Sequence, residues 1–444
     1  MPTKEELLEK SKKPSADALK MHPFFKGKIA STLKCCVRDF NDFAIWYTPG
    51  VAAACRDIEA HPEKVFEHTN KGNMVAVVSD GTRVLGLGDI GPEAAIPVME
   101  GKAILFKYLG GVDAWPICLD TKDAEEIIKT VKLISPCFGG INLEDFSQPK
   151  CFHILDTLRK ECKIPVWHDD QQGTAAVTLA GLLNALKVVG KKLEKARLTL
   201  LGSGAANIAT ARILIAAGAD PGKMIMVDSK GTLHKGRTDT QKDFKQKWHF
   251  AQITNAQQVK GGIPEAMEGA DAMIALAKSG PDVIKKEWIK KMAKDPIIFA
   301  CANPIPEIYP WEAKEGGAKI IATGRSDFPN QVNNSLCFPA IFRGTLDVMA
   351  KTITDEMCIA SARELAKCAE DKGLREDYLL PTMDERDVFP RQAVAVALKA
   401  IEQKVARITL SKEQLYEKAS AIINRARQET KVLMESGVIP FCSL

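Results

Sequence analysis

Two pairs of adjacent carboxylates, each following an apolar run, are the residues of this sequence best suited to chemistry. They are Glu144 with Asp145 and Asp169 with Asp170. Hard divalent cations such as Mg²⁺ and Mn²⁺ prefer carboxylate oxygens, and four carboxylates at two strand-to-helix junctions are able to supply them. Neighbouring residues of an extended chain point to opposite sides, so we expect Asp169 and Asp170 to have different roles, one of them facing the metal. The alternative for each pair is a solvated helix N-terminus, where acidic residues are common.

Three further polar residues stand at chain breaks or in apolar surroundings. Tyr47 precedes a Pro-Gly break that forces a sharp turn, and a tyrosine hydroxyl exposed there can act as a proton donor. Arg83 lies on the tight turn after the apolar strand 74–78 and is a candidate for a bidentate grip on a substrate carboxylate. Lys102 follows a glycine and precedes an apolar run, so we expect desolvation to lower its pKa and make it usable as a base. Taken singly, each has a structural alternative: a packed tyrosine, a surface arginine in a hairpin, and a lysine at a helix start whose amine reaches solvent.

The glycines from Gly86 to Gly91 fit the spacing of a dinucleotide-binding loop, yet the match is misleading. Such a loop should open a helix, and the closely following Pro92 and Pro97 argue against one. We interpret this run instead as close packing of backbone beside a site.

Gly202-Ser203-Gly204 is the better candidate for a dinucleotide loop. A buried-type strand at 196–201 runs into it, a helix at 208–217 follows, and the next strand, 224–227, ends in Asp228. This order is the full context of dinucleotide binding, with the pyrophosphate on the helix N-terminus. An asparagine, Asn207, replaces the third glycine of the pattern.

The residues after the second strand give conflicting signals about the cofactor. Asp228 is placed to contact an adenosine ribose hydroxyl, which favours NAD. Ser229 and Lys230 follow directly, and a hydroxyl with an ammonium can bind the additional phosphate of NADP.

Asparagines close to the ends of later strands are candidates for ligand contacts. Asn303 follows the predicted strand 296–300, and ligands bind at strand C-termini in such folds. Asn330, Asn333 and Asn334 lie in an amide-rich loop, where turn formation is the alternative role.

Bulk composition is that of a globular protein. The 444 residues carry a net charge of +5 and are 45% apolar, and no basic block with interleaved aromatics favours nucleic acid. The 12 cysteines show no CxxC pattern. There is no signal-type N-terminal segment and no run long enough to span a bilayer. We expect a reduced, soluble, cytoplasmic protein with neither nucleic-acid nor membrane partners.

Strand-helix alternation from Ile164 onward predicts a parallel sheet and an α/β fold. The expected architecture is an N-terminal α/β substrate and metal domain, residues 1–164, followed by a Rossmann-type doubly wound dinucleotide-binding domain, residues 165–444. From Phe338 the second domain is expected to be mostly helical.

Motifs in both halves resemble those of the malic enzyme family in its short microbial-type form, from about residue 20 to about residue 440. They are YTPGVA (47–52), SDGTRVLGLGDIGP (79–92), GKAILF (101–106), NLEDF (142–146), HDDQQGTAA (168–176), GSGAA (202–206), DSKG (228–231), ANP (302–304) and QVNNS (331–335). The resemblance implies that the chain lacks the acetyltransferase-like extension that some members carry.

The resemblance also implies roles for matching residues. Lys102 would be the general base, Tyr47 the general acid and Asp169 the partner of the lysine. The implied metal ligands are Glu144, Asp145 and Asp170. The implied malate contacts are Arg83, Asn303 and Asn334. The implied cofactor contacts are Thr174, Gly202, Gly204, Ala205, Ala206, Asn207, Asp228, Ser229, Lys230 and Asn303.

The activity implied is oxidative decarboxylation of L-malate to pyruvate and CO₂, with Mg²⁺ or Mn²⁺ and with NADP, or NAD, as oxidant. Family members with a Ser-Lys pair after the acid tend to use NADP, and the family suggests a homodimer. A malolactic-type enzyme, a hydroxyacid dehydrogenase without decarboxylation and a catalytically silent dinucleotide-sensing protein are the alternatives.

Overall fold

The structure is a computed structural model that describes residues 4–242 and 244–443, with side chains from residue 13 onward. It contains two β-sheets, which follow one another along the chain. The first sheet consists of β1 (Met74–Ser79), β2 (Asp113–Cys118), β3 (Gly140–Leu143) and β4 (Val166–His168). The second consists of β5 (Leu198–Leu201), β6 (Met224–Asp228), β7 (Gly231–Thr232), β8 (Ala272–Ala275), β9 (Ile297–Ala300) and β10 (Ile320–Thr323). Their spatial orders are β2-β1-β3-β4 and β10-β9-β8-β5-β6-β7.

Strand pairing is parallel throughout the first sheet, and in the second sheet β7 runs antiparallel to β6 while the other pairs are parallel. The strands read as continuous apolar runs because helices cover both faces of the second sheet. The predicted α/β fold with a parallel, doubly wound second sheet is confirmed.

Helices connect and cover these strands. In chain order they are α1 (Lys4–Phe25), α2 (Asp42–Trp46), α3 (Val51–Ala60), α4 (Val65–His68), α5 (Pro92–Gly110), α6 (Ala124–Ile134), α7 (Lys150–Glu161), α8 (Thr174–Val188), α9 (Ala205–Ala216), α10 (Lys245–Ile253), α11 (Ile263–Met267), α12 (Lys286–Ile289), α13 (Pro310–Glu315), α14 (Phe338–Asp347), α15 (Asp355–Glu370), α16 (Val388–Glu402) and α17 (Lys412–Glu435). Among the described helices, none combines the length and the apolar character that crossing a membrane requires.

Helix α5 corrects one expectation from the sequence. Pro92 is its first residue, a position where the missing N–H costs nothing, and Pro97 is accommodated inside it. The prolines therefore do not prevent a helix after the run from Gly86 to Gly91. The predicted close packing of backbone is found at Gly86, where a Cβ would lie 2.6 Å from the backbone oxygen of Asn303, whereas Gly88 and Gly91 have open space and a positive φ of +81°.

Three elements after the predicted domain division at residues 164 and 165 pack with the first half of the chain. Strand β4 begins at Val166 but pairs with β3 of the first sheet. The C-terminal helices α14 and α17 pack on α5 beside the first sheet, rather than on the second sheet alone. The division itself stays a prediction, but these contacts join the two halves into a continuous core.

An aromatic cluster lies where the two halves meet. The ring of Phe106 on α5 lies 4.6 Å from that of Phe338 and 5.1 Å from that of Phe342, both on α14. Trp167 of β4 stands 6.1 Å from Phe342. Tilted and edge-to-face aromatic contacts of this kind are favourable, and through Phe342 they link α14 to both α5 and β4.

Candidate active site

Lys102 is the centre of a buried ion-pair cluster. It lies in the interior of α5, one turn from Phe106, with its ammonium 4.4 Å from the ring centre of Phe338. Its Nζ lies 2.5 Å from Asp169 Oδ2 and 2.9 Å from Glu144 Oε1. Helix α5, the loop after β3 and the turn after β4 thus bring together three charged groups that are far apart in sequence.

The pKa of Lys102 differs from the expectation drawn from its apolar neighbours. Burial alone would lower the pKa, as predicted, but the carboxylates of Asp169 and Glu144 outweigh burial and raise the pKa above its usual value. The prediction of a lowered pKa is therefore wrong for the protein without a bound cation. The residues next to Lys102 in the sequence indicate that it is buried, but they do not show that other elements bring two carboxylates to it.

Three carboxylates beside the lysine form a cluster suited to a divalent cation. Oxygens of Glu144, Asp145 and Asp170 all lie within 4.8 Å of one another. Asp145 Oδ2 is buried without a hydrogen-bond partner, while the backbone N–H of Asp145 donates to Asp170 Oδ2 at 2.8 Å. Burial and the nearby Asp170 raise the pKa of Asp145 to about 8. An all-oxygen donor set with excess negative charge fits Mg²⁺ or Mn²⁺.

Asp169 and Asp170 do face different partners, although not for the reason expected. They open a single π-helical turn, Asp169–Gly173, and are not part of an extended strand. Asp169 is fully buried and reaches Lys102, whereas Asp170 is partly exposed and reaches the backbone of Asp145. Short π-helical segments are frequent at functional sites because they redirect side chains within one turn.

Of the predicted substrate residues Arg83, Asn303 and Asn334, Arg83 borders the carboxylate cluster and Asn334 lies against the turn that carries Asp169. The backbone N–H of Arg83 donates to the carbonyl of Asp145 at 2.9 Å, and its side chain is exposed. A Cβ on Gly173 would lie 3.3 Å from Asn334 Cβ, which places that residue against the π-helical turn. Asn303 lines a cleft of about 550 Å³ together with the loop at Gly86.

The other asparagines of the amide-rich loop have structural roles. Asn330 donates to the carbonyls of Ile321 and Glu376, and Asn333 accepts from the N–H of Ser335. The turn-former interpretation holds for these two residues. Asn334 is partly exposed and no side-chain hydrogen bond to another described residue holds it, so its amide is available to a substrate.

Tyr47 is not part of the buried cluster in the single chain. It follows α2, its side chain is 72% exposed, and its hydroxyl has no hydrogen-bond partner among the described residues. Neighbouring apolar side chains are exposed as well, including Phe40 at 86% and Leu33 at 77%. We refer to residues 33–51 as the arm.

The glycine loop after β5 has the form that a pyrophosphate needs. Gly202 has φ +94°, and a Cβ there would meet the carbonyl oxygen of Leu276 at 2.5 Å, so the position demands glycine. A Cβ on Gly204 would meet only Gln148 at 4.0 Å, which leaves open space in front of α9. Ala205 and Ala206 begin that helix and expose its N-terminal N–H groups.

Two side chains of this loop have different roles. Asn207 is fully buried and donates to the carbonyls of Leu201 and Gly202 at 2.7 and 3.0 Å, so it holds the loop in shape. The hydroxyl of Ser203 has no hydrogen-bond partner among the residues that the structure describes, although it is buried at the loop. Ser203 is a candidate cofactor contact that the glycine pattern did not single out. Thr174 is the first residue of α8 and is half-buried.

Asp228 is held by an arginine that sequence reasoning missed. Arg237 donates from Nη1 and Nη2 to the two carboxylate oxygens of Asp228 at 3.0 and 2.9 Å. Burial disfavours the charged carboxylate and by itself would raise the pKa of Asp228. The guanidinium of Arg237 outweighs this effect and holds the pKa below its usual value. Lys247 lies 3.5 Å from the same carboxylate, and Lys230 pairs with Asp239 at 3.2 Å. No spacing rule connects an acid at a strand end with an arginine in the following loop.

A basic cavity of about 800 Å³ lies beside the glycine loop. Gln148, which faces Gly204, is among its lining residues. The lysines that line it are Lys150, Lys160, Lys242 and Lys245. Positive charge next to a helix N-terminus suits a ligand that carries several phosphates.

Two family descriptions match the chain in succession. Residues 26–159 match "Malic enzyme, N-terminal domain" and residues 171–402 match "Malic enzyme, NAD binding domain". The first range contains Lys102, Glu144 and Asp145, the second contains the glycine loop, and Asp169 and Asp170 lie in the short stretch between them.

Related proteins match over most of their length. The chain is 50% identical to the bifunctional malic/malolactic enzyme of Bacillus subtilis, across 90% of this chain and 97% of that protein. It is 52% identical to the NAD-dependent malic enzyme of Geobacillus stearothermophilus, across 86% and 78%. NADP-dependent malic enzymes also match.

The crystal structure of the Entamoeba histolytica malic enzyme superposes with a TM-score of 0.96 at 49% identity, covering 100% of this chain and 94% of that one. With both family descriptions matched and close relatives aligned across both sheets, the chain belongs to the malic enzyme family.

Proposed function

We propose that the protein oxidatively decarboxylates L-malate to pyruvate and CO₂ with a nicotinamide dinucleotide and a divalent cation. The observation that carries this proposal is the buried amine of Lys102, which lies between Asp169 and Glu144 and next to the cluster of three carboxylates. A proton-transferring group beside a cation site is what oxidation of a hydroxyl followed by loss of CO₂ requires.

Glu144, Asp145 and Asp170 would hold Mg²⁺ or Mn²⁺, and the loop from Gly202 to Ala206 would hold the dinucleotide. When bound, the cation polarises the C2 oxygen of malate and stabilises the charge that develops as CO₂ departs, and the nicotinamide accepts the C2 hydride.

The chain's own residues supply orientation and proton transfer. In the single chain Asp169 and Glu144 keep Lys102 protonated, whereas a cation held by the neighbouring carboxylates would lower the pKa of the lysine by like-charge repulsion. In its neutral form Lys102 would accept the proton of the C2 hydroxyl, and Asp169 orients the amine through their contact of 2.5 Å. Arg83 binds a malate carboxylate, and the amides of Asn303 and Asn334 complete the substrate contacts. Tyr47 would then protonate C3 of the pyruvate enolate, and Lys102 would return the proton it had accepted.

The rival hydroxyacid dehydrogenase gives the carboxylate cluster no role. Hydride transfer alone needs no divalent cation, yet Asp145 and Glu144 are buried with their pKa values raised, an arrangement that is unfavourable without a cation. Decarboxylation explains why the fold retains these buried carboxylates.

We propose that NADP is preferred over NAD. The carboxylate of Asp228 is neutralised by Arg237, and its oxygens also accept the N–H of Lys230. Three cations, Arg237, Lys230 and Lys247, surround two carboxylates there, so the end of β6 has an excess of positive charge. A 2′-phosphate gains from that excess, whereas a ribose hydroxyl does not.

We propose a homodimer in which a second copy of the chain covers the arm. Apolar residues at this density on a surface are characteristic of interfaces. The polar contacts of the arm with the rest of the chain are few; Lys34, for example, binds Asp113 at 2.7 Å. Covering the arm would also shield Tyr47 from solvent, which an acid acting on C3 requires.

A cytoplasmic location agrees with the described cysteines being unpaired.

The first test is the initial rate of reduced-dinucleotide formation with L-malate and Mn²⁺. We expect a rate that EDTA abolishes and pyruvate as the product, and Lys102→Ala should lower turnover by about 10²–10⁴ because the base is lost. Lactate as the product would assign the malolactic reaction instead. No turnover under any condition would favour the dinucleotide-sensing alternative.

Cofactor preference is tested by comparing kcat/KM for NADP⁺ and NAD⁺ in the wild type and in Arg237→Ala. Hydrogen bonds to charged groups contribute about 1.5–3 kcal/mol, so the variant should lose about 10- to 100-fold with NADP⁺ and little with NAD⁺. The exposed Arg425, changed to alanine, is the matched control. A wild-type preference for NAD⁺ would contradict the proposal and assign Asp228 to the ribose.

The metal assignment is tested by titrating Mn²⁺ into Asp170→Ala without substrate. Loss of a partner outside the ligand set typically costs about 10- to 100-fold in affinity, so removal of a ligand should cost at least that much. The exposed Glu63→Ala serves as control for removal of one negative charge. Unchanged Mn²⁺ affinity in Asp170→Ala would exclude this residue from the ligand set.

The role of Tyr47 is tested with Tyr47→Phe, which keeps the ring that the arm contributes and removes the hydroxyl. Pyruvate formation should fall far more than reduction of oxaloacetate, because only the former needs protonation at C3. Light scattering should give a dimer for both forms. Equal loss of the two reactions would argue against the acid role, and a monomeric wild type would argue against the covered arm.

A further inference from the structure

Glu307 is a fully buried carboxylate that none of the preceding roles uses. It follows the loop after β9, and its side chain is 0% exposed. Within the described chain it forms no ion pair; its oxygens accept the backbone N–H groups of Ala277 at 2.8 Å and of Ala302 at 3.0 Å. Burial raises the pKa of this carboxyl, and the two N–H groups offset only part of that effect.

A buried charge without a counter-ion is an unfavourable way to fill a core position. An apolar side chain of similar size would remove the buried charge but would leave the N–H groups of Ala277 and Ala302 without acceptors, which costs free energy of its own. The carboxylate has two acceptor oxygens, and each binds a different backbone N–H group. We therefore look for the function of Glu307 in the two loops that these N–H groups belong to.

The first of these groups belongs to the loop beneath the dinucleotide. Ala277 follows β8, and its Cα would lie 3.3 Å from a Cβ on Gly202. Strands β5 and β8 are neighbours at the point where the strand order of the second sheet reverses, and ligands bind at such points. A shift of Ala277 would therefore move the floor of the glycine loop.

The second group belongs to the loop that reaches the substrate cleft. Ala302 directly precedes Asn303, whose backbone oxygen lies against Gly86 of the first domain. A second pair of hydrogen bonds connects the same two loops. The hydroxyl of Ser279 donates to the carbonyl of Ile305 at 2.8 Å and accepts the N–H of Ile305 at 3.0 Å. Both links join the loop after β8 to the loop after β9.

We propose that Glu307 is a positioning residue that locks the loop carrying Asn303 to the floor of the dinucleotide loop, so that substrate and cofactor are held at a fixed separation. The inference rests on the proposed function for the role of Asn303. Hydride transfer depends steeply on the distance between donor and acceptor, and a small misplacement costs about 10²-fold in rate.

The test is Glu307→Gln, which keeps the size of the side chain and one acceptor oxygen. The amide NH₂ group of the variant would face one of the two backbone N–H groups, so that two donors would meet and one hydrogen bond would be lost. We expect kcat/KM for L-malate to fall by about 10²-fold and the dissociation constant of the reduced dinucleotide, measured by fluorescence without substrate, to rise. Ser279→Ala should change both quantities in the same direction but less, and it remains measurable if Glu307→Gln does not fold.

The control is Asn184→Ala, which removes another fully buried side chain that binds two backbone groups, the carbonyls of Ala366 and Leu379. It should lower the melting temperature and leave both constants unchanged. Glu307→Gln should also add little to Asn303→Ala, because a residue that acts through Asn303 loses its effect once that amide is gone.

The outcomes separate this inference from the proposed function. If Glu307→Gln lowers only the melting temperature while both constants stay at wild-type values, the positioning role is overturned. Full additivity with Asn303→Ala overturns it as well. If the wild type fails to oxidise malate but Glu307→Gln still weakens dinucleotide binding, the loop lock stands and the proposed reaction fails.

Discussion

The buried contact of Lys102 with Asp169 and Glu144 is the constraint on which the rest of the active site depends. A lysine inside a helix can be buried only where carboxylates compensate its charge, and both carboxylates come from the ends of neighbouring strands. The π-helical turn Asp169–Gly173 directs one acid to the lysine and leaves the next to the carboxylate cluster. The aromatic contacts of α5 and α14 keep the lysine in that position.

In the second sheet, too, the ends of neighbouring strands position the residues of the predicted dinucleotide site. The strand order of this sheet reverses between β5 and β8, so the loops after these strands diverge and leave room for a ligand. The open space in front of Gly204 and the basic cavity beside it complement phosphates. The backbone of Asn303 approaches Gly86, so the loop after β9 contacts the first half of the chain at the junction of the two halves.

Much of this could be predicted from local patterns. The order of strand, glycine loop, helix and acid gave β5, the start of α9 and the end of β6 to within a few residues. The carboxylate pairs are brought together as the spacing suggested. The predictions failed where a long-range contact decided the outcome: the raised pKa of Lys102, the helix that begins at Pro92, and the partner of Asp228.

The sequence by itself determined the α/β class, the glycine loop after β5 and the residue types of the carboxylate cluster and the buried lysine. Each depends on periodicity and spacing along a short stretch, which backbone geometry converts directly into local structure. Only the tertiary structure decided the charge environment of Lys102, the pairing of Arg237 with Asp228, the burial of Glu307 and the exposure of Tyr47. The reason is physical: pKa values and burial are set by groups adjacent in space, and local spacing carries no information about which distant element provides them.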